Sequence, residues 1–168
     1  MTLHLPPRPH AVVVGLGNPI LSDDAIGILV ARELVRRHPG SAVTVTESSW
    51  GGMRFLDLLA GYDAAIIIDA IQWGRGPPGT VYRLSPEQTI PTVRATSFHD
   101  IPLGHALRLG GMLGIPMPAK VVFLAVEVAD VSTISELVSP EVEAAIPKVV
   151  MEVEAQLAAW GVLEHAHA

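Results

Sequence analysis

The sequence has no cysteine. Disulfides, thiolate metal ligands and cysteine nucleophiles are thereby excluded. It also lacks any apolar run long enough to cross a bilayer, although hydrophobic residues make up 49% of the 168 and the mean hydropathy is positive. The longest runs, AAIII (Ala64–Ile68) and VVFLAV (Val121–Val126), suit strands of a parallel sheet covered on both faces. A concentration of positive charge is missing too. With 17 acidic and 11 basic residues the formal net charge is −6, which argues against a nucleic-acid backbone as partner. The densest basic spot, Arg32, Arg36 and Arg37, reads as one solvated helix face. The first ten residues hold three prolines and two histidines and no apolar core of a secretory signal. A cytoplasmic protein without membrane attachment is expected.

What is present is an alternation of strand and helix patterns within one expected domain, residues 1–168, in which the Pro-rich residues 1–9 form a flexible arm. Ala11–Leu16 reads as a strand. A helix follows from about Asp24 to His38, with an apolar stripe of Ile26, Val30, Leu34 and Val35, and Pro39–Gly40 ends it. Strands at 42–47 and 64–70 flank a short helix near 52–60. A turn-rich loop, QWGRGPPG (Gln72–Gly79), leads to a shorter edge strand at 80–84. A helix at about 102–113, a buried strand at 120–128 and a last helix at 140–160 complete the chain. Pro147 lies within that last pattern, so a break or kink is expected there. The predicted fold is α/β: a three-layer α/β/α sandwich on a mainly parallel central sheet, phosphorylase/hydrolase-like.

The stretch GLGNPILSDDAIG (Gly15–Gly27) joins the first strand to the first helix, as a nucleotide-binding loop would. Gly15 and Gly17 match the first two glycines of that fingerprint, but the third position is Ile20. Glu47, ending the second strand, is placed like a ribose-binding acid. No lysine follows in the Walker manner. Asp23 and Asp24 would also repel a pyrophosphate at the helix N-terminus. Taken alone, such acids cap a helix, a contribution of about 1 kcal/mol. Two exceed what one cap needs, which leaves one free to face outward.

In a doubly wound sheet the working crevice lies beyond the carboxyl ends of the strands. Asp24 follows the first strand, Asp69 closes the run AAIIIDA, and His99 stands in the loop before a helix. Each alone has an ordinary structural explanation: a capped turn, a capped helix or a surface histidine. Together they offer two carboxylates and one imidazole from three separate loops. That donor set suits a borderline divalent ion such as nickel or zinc, with coordination positions left open for a partner's ligands.

These stretches resemble the nickel–iron hydrogenase maturation endopeptidases. The resemblance is carried by GLGNPILSDDAIG, by IIIDA (Ile66–Ala70) with PPGTV (Pro77–Val81), and by SFHD (Ser97–Asp100), and it extends from about residue 11 to 160. It implies a protease that trims a C-terminal peptide from a hydrogenase large-subunit precursor once nickel is in place. The nickel is then carried by the substrate, and no permanently bound cofactor is expected. It further implies that Asp24, Asp69 and His99 contact the metal and serve catalysis. Asn18, Glu47 and Ser49 are candidates for a substrate-facing loop. ESSWGG (Glu47–Gly52) departs from the family's usual Asp followed by small residues, which bears on which hydrogenase is processed, and Trp50 within it is expected as a lid over the core. Trp73 and Trp160 read as partner anchors or core edges. Two other functions remain open: a non-catalytic accessory or chaperone relative, and a nucleotide-binding α/β enzyme.

Overall fold

The computed structural model describes residues 10–88 and 101–163. The arm at 1–9 and the SFHD stretch with His99 lie outside the described residues. Five strands form one sheet: β1 (Ala11–Leu16), β2 (Thr44–Ser48), β3 (Ala64–Ile71), β4 (Val81–Leu84) and β5 (Lys120–Glu127). Their spatial order is β2-β1-β3-β5-β4. All pairs are parallel except β4 with β5, so β4 is an antiparallel edge strand as expected.

The apolar runs explain the layers. Every residue of β1 and β3 is buried. Side chains alternate across a strand, so such runs need cover on both sides. Ile66, Ile68 and Ala70 face α1 (Ile26–Arg37) and α4 (Pro140–Ala159), whereas Ala65, Ile67 and Ile71 face α2 (Phe55–Leu59) and α3 (Leu103–Met112). The result is the three-layer sandwich. From β1 the chain passes first to β2 on one side and then to β3 on the other. Strand order therefore reverses between β1 and β3, and the crevice of the fold opens at their carboxyl ends.

The expected break at Pro147 does not occur: α4 runs unbroken for 20 residues with Pro140 in its first turn. Val142, Ala145, Val149, Val150, Val153 and Leu157 are all buried along its inner face. Each large aliphatic so buried contributes roughly 1.5–3 kcal/mol, which together outweighs about 3 kcal/mol for an interior proline. Pro147 itself is exposed. Replacing it with alanine restores a helical N–H and leaves the core untouched. Pro147→Ala should stabilise the protein by about 1–2 kcal/mol, read as a higher urea midpoint with an unchanged slope.

Candidate active site

The glycines of the first motif set how closely α1 approaches the sheet. A Cβ on Gly27 would lie 2.2 Å from the Leu16 carbonyl oxygen and 2.5 Å from that of Ile68, and one on Gly15 would lie 2.2 Å from the Gly27 oxygen. A Cβ on Gly17 would meet the Asp24 carbonyl at 2.5 Å. The glycine that seats helix on strand is thus Gly27, while Ile20 stands half-exposed in the loop. The space that a phosphate loop leaves open is filled here by the chain's own backbone.

A turn of 3-10 helix, Ser22–Ala25, precedes α1 and holds both acids. Ser22 has φ 46°, the only positive φ among the described non-glycine residues, at a cost of about 1–2 kcal/mol. Its N–H donates to the Ser135 carbonyl and its hydroxyl to that of Leu137, which holds the conformation. The two carboxylates then divide. Asp23 is completely buried and faces inward. Its Oδ1 accepts the Ser139 N–H at 2.6 Å, and its Oδ2 accepts those of Ala129 and Asp130 at 3.3 and 3.2 Å. It therefore ties the first loop to the loop after β5 and to the start of α4. Asp24 accepts the Asn18 N–H at 3.0 Å, and Asn18 Oδ1 accepts the N–H of Ile20, so Asn18 orders the loop around the second acid. In the loop after β5, the Thr133 hydroxyl and the N–H groups of Thr133 and Ser132 hold the Asp130 carboxyl down to about 2.

Asp69 lies one residue further inside its strand than expected, since β3 continues to Ile71. It is completely buried, and its Oδ1 accepts the N–H of Ala70 at 2.9 Å. Between Ile67 and Ile71 it faces the α2–α3 side. The turn bearing Asp24 packs against β3, and Gly27, three residues beyond Asp24, touches the Ile68 carbonyl just before Asp69. The turn that bears Asp24 and the strand that carries Asp69 are thus neighbours at the strand-order reversal. Two carboxylates there can bind a cation or accept a proton. Among the described residues no group of three His, Asp or Glu side chains is arranged to hold a metal ion, and His99 is outside them.

Glu47 is placed elsewhere. Its residue pairs with Gly15 across the sheet, and its carboxylate forms a two-pronged contact with Arg32 of α1 at 2.9 and 3.0 Å. That contact raises the Arg32 pKa and occupies an acid that a ribose would need. Ser49 is exposed on the same rim. Trp50 is not a lid: it is 73% exposed, and Ser48 Oγ bonds both the N–H and the carbonyl of Trp50 in a local turn. Trp73 and Trp160 are partly buried core edges.

Glu127 was not singled out in the sequence, yet it ends the apolar run of β5 as Asp69 ends that of β3. The same pattern would have found it. It is 3% exposed; Oε1 accepts the N–H groups of Trp73 and Gly74 at 2.8 and 2.9 Å, and Oε2 accepts the Tyr82 hydroxyl at 3.2 Å. Burial first, then this bond, push the Tyr82 pKa up. Glu127 thereby fixes the loop that leaves β3 just beyond Asp69.

The fold is a three-layer α/β/α sandwich with buried acids near its topological switch point. The comparison with known families makes this specific: the hydrogenase maturation protease model (HycI) matches residues 28–156, and the chain belongs to that family, whose members are endopeptidases. It is 27% identical to the hydrogenase expression/formation protein HupD of Thiocapsa roseopersicina over 92% of this chain and 71% of that one. Its fold matches the hydrogenase maturating endopeptidase HybD of Escherichia coli with a TM-score of 0.74 at 28% identity, covering 90% and 94% of the two chains. The HycI protease of Thermococcus kodakarensis shares the fold alone, at TM-score 0.69, 21% identity and coverages of 89% and 93%.

The division between the acids is measurable. Asp23→Asn turns a donor toward backbone N–H groups and should cost about 2–4 kcal/mol in urea unfolding. Asp24→Asn should cost about 1 kcal/mol, so equal losses would contradict separate roles.

Proposed function

We propose that this maturation protease cuts a C-terminal peptide from a nickel-loaded large-subunit precursor of a nickel–iron hydrogenase. Asp24 and Asp69, with His99, face the nickel that the precursor brings. The whole chain is read as one domain. The observation that supports this reading is the packing of the turn that bears Asp24 against β3, the strand that carries Asp69. Asp23 already satisfies the backbone groups of the Ser139 and Ala129–Asp130 corner, so Asp24 is not needed there.

Peptide hydrolysis requires a water to lose a proton as its oxygen adds to the scissile carbonyl carbon. The leaving nitrogen must then gain a proton as the C–N bond breaks. The nickel of the substrate polarises the water or aligns the bond, and a buried carboxylate is suited to move the proton. Asp69, rigid within the sheet, serves as ligand or base in either route. The exposed Trp50 beside Ser49 supports a partner-reading role for the ESSWGG loop: it presents an indole and the half-exposed Met53 on the same rim.

Asp69→Asn keeps the shape of the side chain and removes its charge. With nickel-loaded precursor as substrate, it should slow cutting by about 100-fold or more, followed by mass spectrometry of the product. Cutting at the wild-type rate would remove Asp69 from catalysis. Binding of intact precursor without cutting by the unaltered protein would favour the accessory reading.

A further inference from the structure

The loop between β3 and β4 carries one cation, Arg75, and holds it with unusual care. The guanidinium carbon lies 3.9 Å from the centroid of the Trp73 ring. Trp73 in turn meets Tyr82 edge to face, with ring centroids 5.2 Å apart and planes at 89°. Both aromatic residues are fastened to Glu127, Trp73 through its N–H and Tyr82 through its hydroxyl. The next turn is also tight: a Cβ on Gly76 would lie 2.9 Å from the Thr80 and Tyr82 oxygens. Arg75 is exposed, and among the described residues no carboxylate or carbonyl accepts a hydrogen bond from it. By contrast, Arg32 binds Glu47, Arg36 and Arg37 bind Glu33, and Arg83 binds Gln156. Stacking fixes the plane of a guanidinium and leaves its N–H edge free for a carboxylate.

Its location relates this cation to the acids. Asp69, Ala125 and Tyr82 are successive partners in one row across β3, β5 and β4. Paired residues project to the same face, so Tyr82 and Asp69 lie on the α2–α3 side, about 10 Å apart at two strand spacings of about 4.8 Å. The Trp73–Arg75 stack adds one ring contact beyond Tyr82. An extended peptide advances about 3.3 Å per residue, so a chain held at Asp69 reaches the stack within roughly three to six residues.

We propose that Arg75 is a specificity residue that takes a carboxylate of the precursor segment lying across the crevice, a few residues from the cut. This rests on the protease reading above. The shared chemistry is the carboxylate, from an acidic side chain or from the chain terminus. Trp73, Tyr82 and Glu127 are positioning residues that hold Arg75.

The test compares the unaltered protein with Arg75→Gln and Arg75→Lys on nickel-loaded precursor. Arg75→Gln should raise KM about tenfold or more with kcat within about twofold, because binding and not the chemical step loses a partner. Arg75→Lys should recover part of the loss, since it restores charge without the planar fork. Two precursor forms separate the sources: one with acidic residues near the cut changed to amides, the other with a short neutral C-terminal extension that displaces the terminal carboxylate. The form that removes the true ligand should raise KM for the unaltered protein and make no further difference to Arg75→Gln. An unchanged KM in Arg75→Gln, or effects that simply multiply for both precursor forms, overturns the proposal. Failure of the unaltered protein to cut any nickel-loaded precursor instead removes the protease reading on which it rests. A thermal melt of both variants checks that the loop change leaves the fold intact; a destabilised Arg75→Lys with no KM effect counts against the proposal.

Discussion

The contact of backbone on backbone between Gly15 and Gly27 underlies the rest of the structure. No side chain intervenes, so α1 sits against the carboxyl ends of β1 and β3 at a distance no other residue pair allows. That proximity places the turn before α1, and with it Asp24, beside the strand that carries Asp69. The glycines therefore do for a pair of acids what the glycines of a phosphate loop do for a nucleotide. They bring a helix start and a strand end to the same point, but here the occupant is supplied by the chain.

Around this point the protein uses carboxylates for two purposes. Asp23 and Glu127 are buried and spend their lone pairs on backbone N–H groups of neighbouring loops. They are internal braces, each replacing a stretch of regular secondary structure that the loops lack. Asp24 and Asp69 are just as buried, and they are the acids proposed to face the substrate. The strained Ser22, held by the Ser135 and Leu137 carbonyls, opens the turn that carries both Asp23 and Asp24.

Much of this was legible in the residues. The fully apolar runs of β1, β3 and β5 announced buried parallel strands, and their order along the chain announced the sandwich, because few arrangements cover both faces of such strands. Asp24 and Asp69 were expected at one rim because the crevice of such a sheet has a known end; the structure sets the turn of Asp24 beside β3, and their joint role is a proposal. The uninterrupted α4 was not legible. Local preference at Pro147 was overruled by a row of buried contacts that only the tertiary structure supplies. The role of Glu47 was not legible either, since Arg32, fifteen positions earlier, reaches it only after α1 folds back on β2. Trp50 was misread for a simpler reason: a large indole suggests burial, but a serine two residues before it closes the turn on itself and leaves the ring nothing to cover.

That last turn has a consequence for how members of such a family diverge. Its hydrogen bonds between Ser48 and Trp50 begin and end within three residues, and those residues make no part of the contact that seats α1. The Ser48 carbonyl also accepts the Gly17 N–H, so exchange at this corner keeps the backbone of Ser48 and varies the exposed side chain of Trp50 beyond it. New recognition can therefore be acquired through the outward side chain at this corner, while Asp23 and Glu127 remain tied to the packing of the whole domain.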